Sequence, residues 1–135
     1  MIELTPAGTR PSSKAPTEYF TGDVRMDPVT ESRPPSMVFA AQVTFEPGAR
    51  TAWHTHPVGQ TLHVLSGVGL IALRGEAPQL IRPGDTIWIE PDIEHWHGAT
   101  PDTAMCHMAI QQVEDGKGAT WLEHVTDTDY LARPS

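Results

Sequence analysis

At 135 residues the chain has room for one domain with one core, and no run approaches the ~20 apolar residues of a membrane span. A formal charge of −8 leaves no basic cluster to neutralise phosphates, which argues against nucleic acid and otherwise says only that the protein should be soluble. One cysteine, Cys106, excludes an intramolecular disulfide; with Met1-Ile-Glu-Leu-Thr-Pro lacking the basic-then-apolar order of a secretory signal, the expectation is a cytoplasmic protein.

Residues 1–36 hold six of the thirteen prolines and cannot form a regular helix. They read as an extended arm with one strand near Tyr19–Met26, anchored by Tyr19, Phe20, Val24 and Met26 and packed along a barrel edge or onto a partner subunit. From Met37 the pattern is all-β, and 37–113 reads as the core. Met37–Phe45 alternates, Glu46-Pro-Gly turns the chain, and Gln60–Leu65 is a strand ended by Ser66-Gly67. Gly69–Leu73 follows, then a turn at Arg74-Gly-Glu. Leu80-Ile81 leads into the tight turn Arg82-Pro-Gly-Asp, before the strand Thr86–Ile89. Thr103–Gln111 is the last long strand. Short strands punctuated by Gly and Pro indicate a sandwich or barrel. Residues 114–135 read as an edge segment, with Trp121–Leu131 its one short helix.

Two His-x-His pairs, His54/His56 and His95/His97, place their imidazoles in same-face couples, because strand side chains alternate with period two. Four imidazoles and the Gln60 carboxamide converging from separate strands can surround a divalent transition metal. The same parity turns Ala52, Gln60, Leu62 and Val64 inward and puts His63 on the opposite face. Met105, His107, Ala109 and Gln111 form one face of their strand, while Cys106, Met108 and Ile110 form the other. Phe39, Ala41, Val43 and Phe45 share one face, expected either to line the cavity floor and wall or to pack as ordinary core. Trp96 faces away from the histidines. His124 is set apart from them, and Cys106 is a small hydrophobe with nothing to mark it as a nucleophile.

Gly48-x5-His54-x-His56-x3-Gln60-x6-Gly67 resembles the first cupin motif, with Gln60 where most members have glutamate. Gly84-Asp85-Thr-Ile-Trp-Ile-Glu-Pro-Asp92-x2-His95 resembles the second, with Asp92 where glycine is common. Phe45–Pro57, His95-Trp-His-Gly-Ala, Thr103-Ala-Met and Trp121-x-Glu-His-Val-Thr-Asp are similar to the small bacterial cupins that act as manganese-dependent (R)-hydroxynitrile lyases. The resemblance implies a single-domain antiparallel jelly-roll barrel. It implies His54, His56, Gln60 and His95 as metal ligands, and Mn2+ as the metal, with Fe2+, Zn2+, Ni2+ and Co2+ open.

Glutamine in place of glutamate leaves a neutral ligand set around a dication, a stronger Lewis acid and a better partner for anions. Cleavage of an aromatic cyanohydrin such as mandelonitrile then asks for a base and a group to receive cyanide. His97 is the candidate base, and His107, Gln111 and Thr51 are candidates to hold or protonate the leaving cyanide. An Fe(II)-dependent cupin dioxygenase is the alternative, separable by metal preference and oxygen uptake. A non-catalytic metal or small-molecule sensor would bind without turnover, and a sugar isomerase would need a phosphate-binding basic cluster that is not evident. The proline-rich arm and outward apolar residues such as Trp96 and Ile110 suggest a homo-oligomer, dimer or tetramer.

Overall fold

The computed structural model describes residues 1–133. Its strands in chain order are β1 Ser13–Lys14, β2 Phe20–Thr21, β3 Val24–Thr30, β4 Val38–Phe45, β5 Arg50–Thr51, β6 His54–Thr55 and β7 Gln60–Gly67. They continue with β8 Gly69–Leu73, β9 Gln79–Ile81, β10 Thr86–Ile89, β11 His95–Ala99, β12 Met105–Gln112 and β13 Thr120–Trp121, before the helix α1 Asp127–Tyr130. No helix among the described residues is long and apolar enough to cross a membrane.

Two curled antiparallel sheets face each other as a jelly-roll barrel. One runs β1-β3-β4-β12-β7-β10; the other runs β13-β6-β11-β5-β2, with β8 pairing β11 and β9. Alternation sorts the side chains. In β7, Gln60, Leu62 and Val64 are buried while Thr61 and His63 are half-buried, and His63 Nδ1 lies 2.9 Å from Thr86 Oγ1 on the outer face. Between the sheets, Phe45, Leu62, Val64, Ala99 and Met105 are almost wholly excluded from water. Gly67 has φ 76°, and a Cβ there would meet the Ala104 carbonyl oxygen, so only glycine closes β7 against the start of β12.

The arm packs along a barrel edge: β1 pairs with β3 at Ser13–Met26 and Lys14–Arg25, and β3 pairs with β4. The strand expected over Tyr19–Met26 is broken in two at Gly22, whose φ of 82° turns the chain between β2 and β3. Pro28 lies in β3 beside a register shift against β4, a place where a missing N–H costs little.

The C-terminal segment departs from expectation. The helix foreseen over Trp121–Leu131 is confined to Asp127–Tyr130, capped by the Thr126 side chain. Thr120–Trp121 is strand, paired with β6, and the extended run continues as Leu122 N–H donates to Trp53 O and Trp53 N–H to Glu123 O. The end of the chain foreseen in that segment, residues 134–135, lies outside the described residues.

Trp96 also differs from its reading as an exterior residue awaiting a partner subunit. It does face away from the histidines, but Val125 and Tyr130 cover it, forming a second core with Trp53, Leu70 and Ala72. The segment is clasped by buried Arg50, which donates to Val125 O at 2.8 Å and Asp127 Oδ1 at 2.9 Å and stacks 4.3 Å over the Tyr130 ring. Tyr130 Oη–H donates to Ala99 O at 2.6 Å.

Candidate metal centre

Strand pairing brings the histidines together. β11 meets β6 at His95–His54 and β13 meets β6 at Trp121–His54, which sets the His54 and His95 ring centroids 4.2 Å apart. His56 follows on the same face, 4.9 Å from His54. Asp92, in the position where glycine is common, adopts the left-handed φ of 62°, and its N–H donates to His56 O. His97, two residues beyond His95, stacks 5.7 Å from it. From the opposite sheet β12 sends in His107, whose Nε2 lies 2.9 Å from His97 Nδ1. Gly98 lets β11 approach β5 closely: a Cβ there would fall 2.4 Å from Ala49 O.

Hydrogen bonding fixes how three of the rings present themselves. His54 Nδ1–H donates to Ala52 O at 2.9 Å, His95 Nδ1–H to Ile93 O at 2.9 Å, and His56 Nδ1–H to Gly118 O at 2.7 Å. A carbonyl can only accept, so each Nδ1 carries the proton and each Nε2 offers a lone pair, the arrangement that metal-ligating histidines adopt. His56 Nε2, His95 Nε2 and Gln60 Oε1 are buried with no hydrogen-bond partner. Orphaned buried acceptors are costly unless something binds them. A dication fits that donor set of imidazole nitrogen and amide oxygen. Among the described residues, the histidines with a ring nitrogen each within 4.8 Å of the others are His54, His95 and His97, a group that takes in His97 and leaves out His56.

Every imidazole here is held neutral at ordinary pH. Burial pushes His54 and His97 well below the usual 6.5, helped by the neighbouring rings. Burial also takes His95 and His107 down to about 4 and lowers His56. Neutral imidazole is both the ligand form and the proton-accepting form.

A cavity of about 70 Å³ opens beside these rings. Its walls include Phe39, Ala41, Val43 and Ala109, together with Thr51, Gln60 and Gln111; Phe45, expected on the same wall, does not line it and is instead fully buried in the core. Among the described residues no carboxylate lines it. Thr51 Oγ1 accepts from His97 N–H at 3.2 Å. Gln111 Oε1 accepts from Gln60 Nε2–H at 2.6 Å, and Gln111 Nε2–H reaches Gly118 O at 3.4 Å. His124 stays apart, near Thr21 Oγ1, and Cys106 is buried with Thr44 Oγ1 at 3.5 Å from its sulfur.

Trp121 and Gly118 were not foreseen as part of the site. The Trp121 ring stacks on His54 at 4.6 Å and 28°, and Tyr19 stacks on Trp121 at 4.7 Å and 14°. A signal existed in Asp115-Gly116, a dipeptide that marks a tight hairpin and returns the chain to the barrel.

Comparison with known proteins places the chain in a family. A curated (R)-mandelonitrile lyase from Granulicella tundricola is 53% identical over 129 residues, 96% of this chain and 98% of its own. The crystal structure of a cupin-like protein from Thermotoga maritima is 36% identical and superposes with a TM-score of 0.84, over 93% of this chain and 95% of its own. A cupin-2 domain from Rhodospirillum rubrum, 16% identical with a TM-score of 0.72 over 96% of this chain and 84% of its own, shares the fold. Residues 41–110, from the middle of β4 to near the end of β12, match the cupin domain family, and the chain belongs to it.

Proposed function

We propose that this chain is a metal-dependent hydroxynitrile lyase that cleaves or forms (R)-cyanohydrins, mandelonitrile to benzaldehyde and HCN being the representative reaction. One observation carries the reading: the 53% identity to an (R)-mandelonitrile lyase spans 96% of the chain. It therefore takes in the arm, the barrel and the C-terminal segment, all of which contribute to the cavity wall. In this reading residues 1–36, 37–113 and 114–135 act as arm, barrel core and edge segment of one domain.

His54, His56, His95 and Gln60 are the ligands in this account, because their free atoms are lone pairs locked outward by hydrogen bonds at the other end. His97 is set apart from them because its Nδ1 faces another imidazole, which can exchange a proton, whereas a carbonyl cannot. A divalent ion in this neutral donor set supplies Lewis acidity, lowering the pKa of the substrate hydroxyl and favouring the anions formed. Manganese is our choice on the resemblance to manganese-dependent lyases; the absence of thiolate donors agrees with it.

In cleavage, His97 Nε2, buried and unpartnered, accepts the hydroxyl proton. The oxygen lone pair forms the aldehyde C=O as the bond to the nitrile carbon breaks, and its electron pair leaves with cyanide. With Nδ1–H donating to His107 Nε2, the positive charge on His97 is shared across the pair. Thr51 and Gln111, which line the cavity, would hold the leaving cyanide, which takes the proton back from His97 as HCN. Apolar Phe39, Val43 and Ala109 hold the aryl group and exclude water.

The test is stoichiometry with metal-loaded protein. Benzaldehyde and HCN released in equal amounts, without oxygen uptake, support the lyase; oxygen consumption would favour an Fe(II) dioxygenase instead. A homo-oligomer, dimer or tetramer, belongs to the same proposal, supported by exposed Leu65, Trp88 and Ile110, and solution mass checks it. A cytoplasmic setting is proposed from the unpaired, buried Cys106.

A further inference from the structure

We propose that the returning strand of the C-terminal hairpin, Gly118 to Trp121, orients three of the four ligands, so that metal affinity is set by residues that are not ligands. This rests on the ligand assignment above.

The ligands differ in what holds them. His54 and His95 each donate to a carbonyl two residues back in their own segment, so those rings are anchored locally. His56 has no such anchor: its Nδ1–H reaches Gly118 O, 62 residues away, at 2.7 Å. Gln60 poses a sharper problem, because a carboxamide turned the wrong way would aim NH2 at the imidazoles and bind no cation.

The same carbonyl resolves it. Gly118 O can only accept, so Gln111 turns its Nε2 toward it, at 3.4 Å. Gln111 Oε1 is thereby turned to Gln60 and accepts Gln60 Nε2–H at 2.6 Å. Gln60 Oε1 is then the atom left buried and unpartnered beside the rings. Direction propagates along the chain of amides from one backbone oxygen. Three residues on, the Trp121 ring lies stacked on His54, restricting its tilt.

The hairpin's position is itself specified. Asp115 and Gly116 have φ of 52° and 78°, and Glu114 and Lys117 exchange hydrogen bonds of 2.8 and 2.9 Å. This two-residue turn sends β13 back onto β6 opposite His54. Gly118 has a reason of its own to be glycine: a Cβ would lie 2.9 Å from Gln111 Nε2. Gly118→Ala therefore displaces the amide that begins the relay while leaving every ligand in the sequence.

The experiment titrates Mn2+ into metal-free wild type, Gly118→Ala, Gln111→Leu, Trp121→Ala and Trp121→Phe. Free ion and the hyperfine pattern of bound ion are followed by electron paramagnetic resonance, and circular dichroism verifies folding. Loss of an outer partner of a metal ligand typically weakens binding roughly 10- to 100-fold. We expect that loss in the first three variants, with an altered bound spectrum, and near wild-type binding in Trp121→Phe, which keeps a ring over His54. Wild-type affinity and spectrum in folded Gly118→Ala and Gln111→Leu would overturn the proposal. If Gly118→Ala fails to fold, Gln111→Leu decides. A wild type that binds no Mn2+ would overturn the ligand assignment itself, and this inference with it.

Discussion

His97 and His107 face each other across the barrel with Nδ1 of one 2.9 Å from Nε2 of the other, both rings buried. Phe45 packs against both, at 6.0 and 5.3 Å. A buried imidazole pair sharing one hydrogen bond can hold one additional proton and is poorly placed to hold two. That property suits a step in which a proton is taken up and returned within one turnover.

His97→Ala is therefore expected to lower kcat by about 10²- to 10⁴-fold, the usual worth of a positioned acid–base group, while Mn2+ content stays that of wild type. His107→Ala leaves His97 without its partner and should lower kcat by a smaller factor. Steady-state benzaldehyde release with metal analysis on the same samples checks both. Full turnover by metal-bearing His97→Ala would remove His97 as the base.

Acid should destabilise the metal-free protein. In the unfolded chain the imidazoles titrate near 6.5; folded, burial holds five of them lower, with His95 and His107 at about 4. The unfolded state thus binds more protons below pH 6.5, so their contribution is complete above it and lost as pH falls through the folded values. An imidazole moved that far contributes on the order of 3 kcal/mol. Urea midpoints of metal-free protein should fall steadily from neutral pH to about pH 5, and a flat profile would contradict this.

Removing the outer core should cost stability without touching the cavity. Tyr130→Phe loses the bond to Ala99 O, about 1 kcal/mol. Trp96→Ala empties a site only 1% exposed and should cost about 3–5 kcal/mol. Chemical denaturation of both variants measures the difference.

Gly98→Ala tests the close approach of β11 to β5. Its Cβ would meet Ala49 O at 2.4 Å and Arg50 Cα at 2.6 Å, both backbone atoms. The strain should cost about 1–3 kcal/mol and shift the adjacent His97, so activity should fall along with the thermal midpoint. A variant as stable and active as wild type would show that the strands yield freely.

Much of this architecture is legible in the sequence because period-two alternation is local. The inward set Gln60, Leu62 and Val64, the His107–Gln111 face of β12 and the Arg82–Asp85 turn follow from residue order, and Asp85 N–H does donate to Arg82 O. What is not legible depends on remote surfaces. Trp121, Leu122, Val125 and Tyr130 suggest a helix in isolation, yet their partners are His54, Trp53 and Trp96, which pull the segment into extended form and leave one helical turn. Trp96 reads as an outward apolar residue in isolation, and that same segment covers it. For the same reason the Gly118 carbonyl could not be found: it is a backbone atom, and its identity carries no sequence signal beyond the hairpin that delivers it.

The central claim is best tested by following each enantiomer of racemic mandelonitrile at mildly acidic pH, where spontaneous breakdown is slow. Manganese-loaded protein, metal-stripped protein, stripped protein with Mn2+ restored, and His54→Ala would be compared. The account predicts that (R)-mandelonitrile disappears with matching benzaldehyde release, that stripping or His54→Ala abolishes this, and that Mn2+ restores the stripped sample. No turnover by protein verified to hold manganese, or turnover indifferent to its removal, would contradict it.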